Sequence, residues 1–166
     1  MTSDVVTQLS QQCTQKLVHG FSIARGDKAR LISEPTPVVR GRLMDVRNLN
    51  QVPAFITKDG SEIRELLAYR NSRIRKQSLA EARIPAGGAT QEHYHPLTEE
   101  IYYLTAGRGR IVVGGETRDV QAGDAIAIPP GTRHKLWNTG AETLVLLCCC
   151  APAYEHEDTV LTEERV

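Results

Sequence analysis

Residues 93–107 read HYHPLTEEIYYLTAG, and residues 123–138 read GDAIAIPPGTRHKLWN. Both stretches contain short apolar or alternating segments that end at glycine or proline, as β-strands do. In the first stretch His93 and His95 are two residues apart, so a strand directs both imidazoles to one face. The two stretches therefore predict an all-β fold in which these two histidines share one face of a strand.

Three imidazoles and one carboxylate are the candidate metal ligands in these stretches. Glu100 follows His95 across a short turn that contains Pro96, and His134 follows the turn at residues 129–131. These donors form a borderline N3O set that suits Fe, Mn, Ni, Co, Cu or Zn. Four protein ligands on an ion that prefers five or six leave positions open for water or substrate. A histidine pair alone is a weak signal, so the residues around it must decide.

Glycines and prolines surround the candidate ligands at fixed spacing. The first stretch fits Gly87-x5-His93-x-His95-x4-Glu100-x6-Gly107, and the second fits Gly123-x5-Pro129-x-Gly131-x2-His134-x3-Asn138. These patterns resemble the two signature motifs of the cupin superfamily, and no motif position is missing. The 15 residues between them fit the short linker of small single-domain cupins. The resemblance covers roughly residues 60–150.

The resemblance implies a specific barrel and a specific ligand set. The barrel is a double-stranded β-helix, or jelly roll, with one divalent metal ion held inside it by His93, His95, Glu100 and His134. Cupins are commonly homodimers, so the resemblance also implies a homodimer. Glu100 is preferred to Glu99 because only Glu100 keeps the motif's spacing to Gly107.

Periodicity extends this prediction along the chain and divides it into three parts. From residue 61 onward, strand-like segments recur about every 8 to 12 residues. Strands are predicted near residues 62–69, 77–84, 91–95, 99–105, 108–113, 116–121, 125–129, 132–138 and 142–150. The barrel is assigned to residues 61–152, and an N-terminal extension of residues 1–60 begins with a short helix over residues 4–18. Residues 153–166 are predicted to be a polar tail, in which His156 is a surface residue.

Strand parity indicates which side chains share the barrel interior with the metal. If His93 faces inward, so does Gln91, and if Glu100 faces inward, so does Tyr102. The even-numbered residues of 78–84, which are small or apolar, are predicted to face inward as well. The parity around Arg64 is ambiguous. Its guanidinium could bind a ligand carboxylate, or it could be solvated or ion-paired.

The predicted function is that of a metal-dependent enzyme. A dioxygenase, decarboxylase or lyase acting on a small oxygenated or carboxylate metabolite is the leading hypothesis. The alternative is a sugar or sugar-phosphate isomerase, an activity also known in cupins. A phosphate site would need inward Lys or Arg, and parity offers little beyond Arg64. The second alternative is a non-catalytic metal- or ligand-binding module, which would use the same four ligands.

Charge and hydropathy indicate a small molecule as the partner. The 166 residues include 20 Lys and Arg against 20 Asp and Glu, a net charge of zero, which disfavours nucleic acid and anionic membranes as partners. The longest apolar run, residues 144–151, is far shorter than the ~20 residues that cross a bilayer. Residues 1–20 lack the pattern of a signal peptide, which predicts a cytoplasmic location.

The segment LVLLCCC at residues 144–150 is apolar at every position. A strand that is apolar on both faces must be covered on both. The barrel interior covers one face. The N-terminal segment or a second subunit must cover the other, and we predict a homodimer. Cys148, Cys149 and Cys150 point to alternate faces of such a strand, and Cys13 is remote in sequence. All four are therefore predicted to be free thiols.

Overall fold

The computed structural model describes residues 44–162, and strands make up almost all of the regular structure in that range. A short 3-10 turn at Leu49–Gln51 comes before the first strand. The strands are β1 (Phe55–Ile56), β2 (Glu62–Leu67), β3 (Ser78–Ile84), β4 (His93–Tyr94), β5 (Glu99–Ala106), β6 (Arg108–Val113), β7 (Glu116–Gln121), β8 (Ala125–Ile128), β9 (His134–Asn138), β10 (Leu144–Ala151) and β11 (Val160–Leu161). The all-β prediction is confirmed, and the helix predicted over residues 4–18 lies outside the described residues.

Two antiparallel sheets form the barrel. The first contains six strands in the order β1-β2-β3-β10-β5-β8, and the second contains five in the order β11-β4-β9-β6-β7. Several neighbouring strands come from distant parts of the chain. For example, β10 lies between β3 and β5. This arrangement is the jelly-roll topology that the motifs imply. No helix in residues 44–162 is long and apolar enough to cross a membrane.

The hydrophobic core lies between the two sheets. Leu144 and Leu146 of β10 and Leu104 of β5 come from the first sheet, and Leu136 of β9 comes from the second; each is at most 1% exposed. Burying one such side chain is worth about 1.5–3 kcal/mol. The core therefore stabilises the contact between the sheets that also positions the candidate ligands.

Strand β3 follows the predicted parity. Its even-numbered residues Ser78, Ala80, Ala82 and Ile84 are all buried and line the interior. Glu81 has the opposite parity, as predicted, and accepts a hydrogen bond from Arg83 Nε at 2.7 Å. Its side chain is nevertheless only 9% exposed, so this outward face is more covered than parity alone indicated.

The turn between β5 and β6 shows why a motif glycine is required. Gly107 has a φ of +84°, a conformation that residues with a side chain rarely adopt. A Cβ at this position would lie 2.9 Å from the Cα of Leu144. Gly107 thus allows β5 to end tightly against β10.

Residues 153–162 belong to the barrel, whereas the sequence predicted a polar tail over residues 153–166. Strand β11 pairs with β4, placing Leu161 opposite His93. Just before it, the Asp158 carboxylate accepts hydrogen bonds from the backbone N–H groups of Leu97 at 3.2 Å and Thr98 at 3.0 Å. Residues 153–162 therefore support the loop that joins the two predicted ligand positions His95 and Glu100.

Candidate metal centre

The two sheets contribute different ligands to one point inside the barrel. In the second sheet, His93 of β4 lies directly opposite His134 of β9. His95 follows β4 at the spacing of two that sequence parity requires. Glu100 lies in β5 of the first sheet, opposite Ile128 of β8. The centre is therefore located between the sheets.

The four candidate ligands are buried and close together. Their exposures are 3%, 4%, 5% and 0% for His93, His95, Glu100 and His134, and one donor atom from each lies within 4.8 Å of the others. Glu100 Oε2 is 3.5 Å from both His95 Nε2 and His134 Nε2. The structure thus brings together all four residues predicted to bind metal.

Two of these buried atoms, Glu100 Oε2 and His134 Nε2, have no well-formed hydrogen bond. A buried polar atom without a partner costs about 1–3 kcal/mol. A divalent cation among the four donors would supply that partner, and three nitrogens with one oxygen suit a transition metal. The residues therefore fit a bound ion.

Backbone carbonyls fix the orientation of two histidine rings. His93 Nδ1 lies 2.8 Å from Gln91 O, and His134 Nδ1 lies 3.0 Å from Thr132 O. A carbonyl oxygen only accepts hydrogen bonds, so Nδ1 carries the proton in each ring and Nε2 keeps its lone pair for a metal. The backbone carbonyl two residues before each histidine thereby selects the tautomer that a metal ligand needs.

The pKa values reflect this crowding. Burial would raise the pKa of Glu100, but the histidines His134 and His95 outweigh it and lower that pKa to about 2. Burial, reinforced by His134, lowers the pKa of His93. For His95 burial acts downward too, yet hydrogen bonding and charge attraction from Glu100 raise its pKa. The glutamate is therefore ionised at neutral pH, and His95 holds its proton most firmly of the three shifted groups.

Glu100 rather than Glu99 faces the histidines. Glu99 is exposed, whereas Glu100 is buried, because alternate residues of β5 face opposite sides of the sheet. The motif spacing thus selects the glutamate that the structure places inside.

A narrow cavity adjoins the candidate ligands. The space open to the centre of a water molecule is about 40 Å³, room for about three waters. One part of its wall is apolar and consists of Ile63, Ala80, Ala82, Ile84, Leu136 and Leu146. Another part is polar and consists of Thr57, Asp59, Ser61, Thr90, Tyr154 and Thr159. A ligand in this cavity meets three of the four candidate metal ligands, His93, His95 and Glu100, and both kinds of wall.

The three predicted pocket residues lie in different places. Tyr102 is 4% exposed, lines the cavity and stands edge-on to His134, with ring centroids 5.9 Å apart. Gln91 is not among the lining residues, although its Oε1 is buried without a hydrogen-bond partner. It lies before β4 begins, so strand parity does not set its direction.

Arg64 requires a correction. Its neighbours Ile63 and Glu65 line the cavity, so Arg64 points to the other face of β2. There its Nη1 is 2.7 Å from Glu62 Oε1. Arg64 is an ion-paired residue on the outer face and does not contact the pocket.

Tyr154 was missed by the sequence analysis, because the C-terminal segment carries no strand pattern. Its ring stands edge-on to His95 with centroids 6.1 Å apart. Its hydroxyl oxygen is buried without a well-formed hydrogen bond, and burial raises its pKa. Tyr154 is therefore a protonated phenol at the cavity wall with a donor to offer.

Asp59 was not predicted as a site residue from the sequence. It is 7% exposed, lines the cavity and accepts hydrogen bonds from the hydroxyls of Thr57 and Ser61. Its cavity position follows from the pairing of β1 with β2, which sequence periodicity did not reveal. Asp59 places a second buried carboxylate near the metal ligands.

The cysteines of β10 are free thiols, as predicted, and two of them face the cavity. Cys148 and Cys150 line it, whereas Cys149 has the opposite parity. Burial raises the pKa of both Cys148 and Cys150, so both remain protonated at neutral pH. Cys13 lies outside the described residues.

Comparison with known proteins agrees with this geometry. The family model "Cupin domain" matches residues 80–150. An uncharacterized protein of Methanocaldococcus jannaschii is 48% identical over 114 residues, which are 69% of this chain and 91% of that protein.

Two solved structures share the fold at lower identity. The polyketide cyclase RemF of Streptomyces resistomycificus aligns with a TM-score of 0.63 at 22% identity, over 74% of this chain and 88% of that one. A predicted oxalate decarboxylase of Thermotoga maritima aligns with a TM-score of 0.58 at 24% identity, over 65% and 99%. The fold, both complete motifs and the matching family model together show that this chain belongs to the cupin family.

Proposed function

We propose that this protein is a metal-dependent enzyme of the dioxygenase, decarboxylase or lyase type, acting on a small oxygenated or carboxylate metabolite. The observation that carries the proposal is the convergence of four buried donors, within 4.8 Å of one another, beside a cavity. His93, His95, Glu100 and His134 would hold the ion. When bound, a divalent ion acts as a Lewis acid toward a coordinated oxygen and can provide redox chemistry.

The size of the cavity supports a small substrate. Space for about three waters suits a compact molecule more than a large aromatic one. The apolar wall would exclude water from the substrate, and Tyr102 and Tyr154 would direct their hydroxyls toward its oxygens. Both phenols keep their protons, since burial raises the pKa of each. The chain thus offers hydrogen-bond donors for orienting an oxygenated substrate.

The charges of the cavity argue against the sugar-phosphate alternative. No Lys or Arg is found among the described residues that line it. Besides Glu100, the carboxyl groups of Asp59 and Glu65 face it, and Glu65 is 3.4 Å from Arg70. A phosphate dianion would meet carboxylates without a side-chain cation. A substrate carboxylate carries a single negative charge instead of two, so the metal ion alone could balance it.

The names of the structural neighbours support an enzyme but not one reaction. One is a polyketide cyclase and the other a predicted oxalate decarboxylase. Both are less than 25% identical to this chain, so they support the barrel and leave the reaction to experiment. A small-molecule partner, a cytoplasmic location and a homodimer complete the proposal.

Metal analysis of anaerobically purified protein, followed by a metabolite panel, tests this function. We expect one transition-metal ion per chain and turnover of at least one small carboxylate or hydroxyl compound. Oxygen uptake identifies an oxygenase, and turnover without oxygen identifies a decarboxylase or lyase. Interconversion of sugar isomers would favour the alternative, and tight binding without turnover would favour the binding module.

Glu100→Gln and Glu99→Gln form the matched pair for this experiment. The two glutamates are adjacent on β5 but face opposite sides. We expect Glu100→Gln to lose metal and activity and Glu99→Gln to keep both. Metal-free wild type with full activity would overturn the proposal.

A further inference from the structure

The register of the sheet places a thiol beside the candidate ligand Glu100. In the pairing of β10 with β5, Cys150 is the residue directly opposite Glu100. On its other side, in the pairing of β10 with β3, Cys150 lies opposite Ser78. All three side chains face the cavity. The backbone ladder thus holds the thiol and the carboxylate next to each other.

The thiol contacts one carboxylate oxygen and leaves the other free. Cys150 Sγ donates a hydrogen bond to Glu100 Oε1 at 3.3 Å, with Cys150 only 3% exposed. The other oxygen, Oε2, has no well-formed hydrogen bond. It lies 3.5 Å from both His95 Nε2 and His134 Nε2. The two oxygens of Glu100 therefore have different surroundings, a sulfur on one side and histidines on the other.

The different surroundings of the two oxygens matter because the last side-chain torsion angle of a glutamate, χ3, has a broad distribution. Its own rotamer preference does not fix it. A donor on Oε1 restricts that torsion and turns Oε2 toward the histidines. Partners of this kind behind a metal ligand orient it, and their loss weakens metal binding. A thiol is a weak donor, but burial shields this contact from bulk water.

We propose that Cys150 is a positioning residue, which holds Glu100 Oε1 so that Oε2 is presented to the metal ion. The inference rests on the proposed metal binding and adds a role for a residue outside the four ligands. It also gives a role to Cys150, which the sequence predicted only to be a free thiol.

Cys148 provides the matched control. It lies on the same strand two residues away, faces the same cavity and is a half-buried free thiol. It is paired in register with Tyr102 rather than with Glu100. Replacing either cysteine by alanine removes one sulfur from the same wall, but only Cys150→Ala removes a contact with a ligand.

The experiment measures Co²⁺ affinity by chelator competition and records the visible spectrum of the bound ion. We expect Cys150→Ala to weaken Co²⁺ binding about 10–100-fold and to shift the spectrum. Cys150→Ser keeps a donor at this position and should restore most of the affinity, whereas Cys150→Val fills the space without a donor and should not. Cys148→Ala should bind Co²⁺ like wild type.

Thermal unfolding of the metal-free variants separates folding from metal binding. If Cys150→Ala is too unstable to assay, Cys150→Ser and Cys150→Val give the same comparison at nearly constant volume. Equal Co²⁺ affinities for Cys150→Ala and Cys148→Ala, or for Cys150→Ser and Cys150→Val, would overturn the inference. Wild type that binds no Co²⁺ would instead overturn the metal site.

Discussion

The protein holds its four candidate ligands by different means. The rings of His93 and His134 are fixed by backbone carbonyls, and Glu100 contacts the Cys150 thiol. His95 Nδ1 has no well-formed hydrogen bond. Its ring is placed by its neighbours in the cavity, Glu100 and Tyr154. Loss of this imidazole should therefore change the metal site more than the fold.

We expect His95→Ala to weaken metal binding by more than about 100-fold, since even changes behind the ligands cost about 10–100-fold. The circular dichroism of the variant should remain that of the folded barrel. The measurement is metal content after dialysis. His156→Ala is the control, because His156 is exposed and outside the cluster. One metal ion per chain retained by His95→Ala would contradict the ligand assignment.

Tyr154→Phe removes only the hydroxyl that faces the cavity. Losing one hydrogen bond to a substrate costs about 0.5–1.5 kcal/mol, so KM or the ligand Kd should rise up to about tenfold. Metal content should not change. The kinetics are measured with whichever compound the metabolite panel shows to be turned over. Tyr94→Phe is the control, since Tyr94 is not among the lining residues; equal effects of the two variants would exclude a role for Tyr154 in binding.

The raised pKa of His95 predicts opposite pH trends with and without metal. In the metal-free protein, a histidine with a raised pKa contributes stability that is present below its unfolded pKa of about 6.5 and is lost as the pH rises through its folded value. Metal binding needs neutral imidazoles and ionised Glu100, whose pKa is about 2. Between about pH 6.5 and 8, below the range in which unfolded thiols ionise, the melting temperature should therefore fall with pH for the metal-free protein and rise for the loaded one. Metal-free His95→Gln should lack the fall, and a parallel rise in both wild-type forms would refute the assignment.

At the scale of elements, the sequence predicted the strands whose signals are local. All nine predicted strands are present within a few residues, because alternation and Gly or Pro stops were both visible. The strands β1 and β11 have two residues each and exist through pairing with β2 and β4. A two-residue strand has no periodicity. Unlike the equally short β4, these two strands lie outside both motifs, so the sequence could not predict them. Asp59 and Tyr154, which these segments bring to the cavity, were missed for the same reason.

The ambiguity at Arg64 has a physical cause in β2. The pairing of β2 with β3 shifts its register between Glu65 and Leu67. A bulge of this kind breaks the alternation of faces along the strand. Parity read from Leu66 and Leu67 therefore conflicted with parity read from Ile63. The metal ligands were predictable because both motifs fix their spacing, whereas the substrate wall depends on such irregular segments.

The β11 segment offers a test of its contribution to the barrel. Asp158→Ala removes the acceptor for the backbone N–H groups of Leu97 and Thr98, and Thr98 is only 2% exposed. Leaving the N–H of buried Thr98 without a partner costs about 1–3 kcal/mol, whereas the N–H of exposed Leu97 can bind water. We expect that loss in the free energy of unfolding measured with urea. Glu157→Ala, at an exposed neighbour, should have little effect, and equal stability of the two variants would show that the segment contributes nothing here.

At the scale of the whole molecule, the outer face of the first sheet carries an apolar patch on β5 and β10. Ile101 is 48% exposed and Tyr103 is 43% exposed. They lie opposite Cys149 and Leu147 of β10, both half-buried. Covering such side chains is worth up to about 1.5–3 kcal/mol each. This is the surface that the apolar segment at residues 144–150 predicted.

We expect this face to form the interface of a homodimer. Light scattering of the full chain at micromolar concentration should give twice the monomer mass. Ile101→Glu places a charge in the apolar face and should give the monomer mass, whereas Thr117→Glu, on exposed β7 of the other sheet, should leave the dimer intact.

Cover by the chain's own N-terminal segment is the rival explanation, and its predicted helix lies outside the described residues. Light scattering of the full-length chain and of a chain lacking residues 1–20 separates the two explanations. A full-length chain that is a monomer would contradict the homodimer, because the apolar face would then be covered without a second subunit. A truncated chain that stays soluble and dimeric would contradict cover by the N-terminal segment, because the apolar face would then be covered without it.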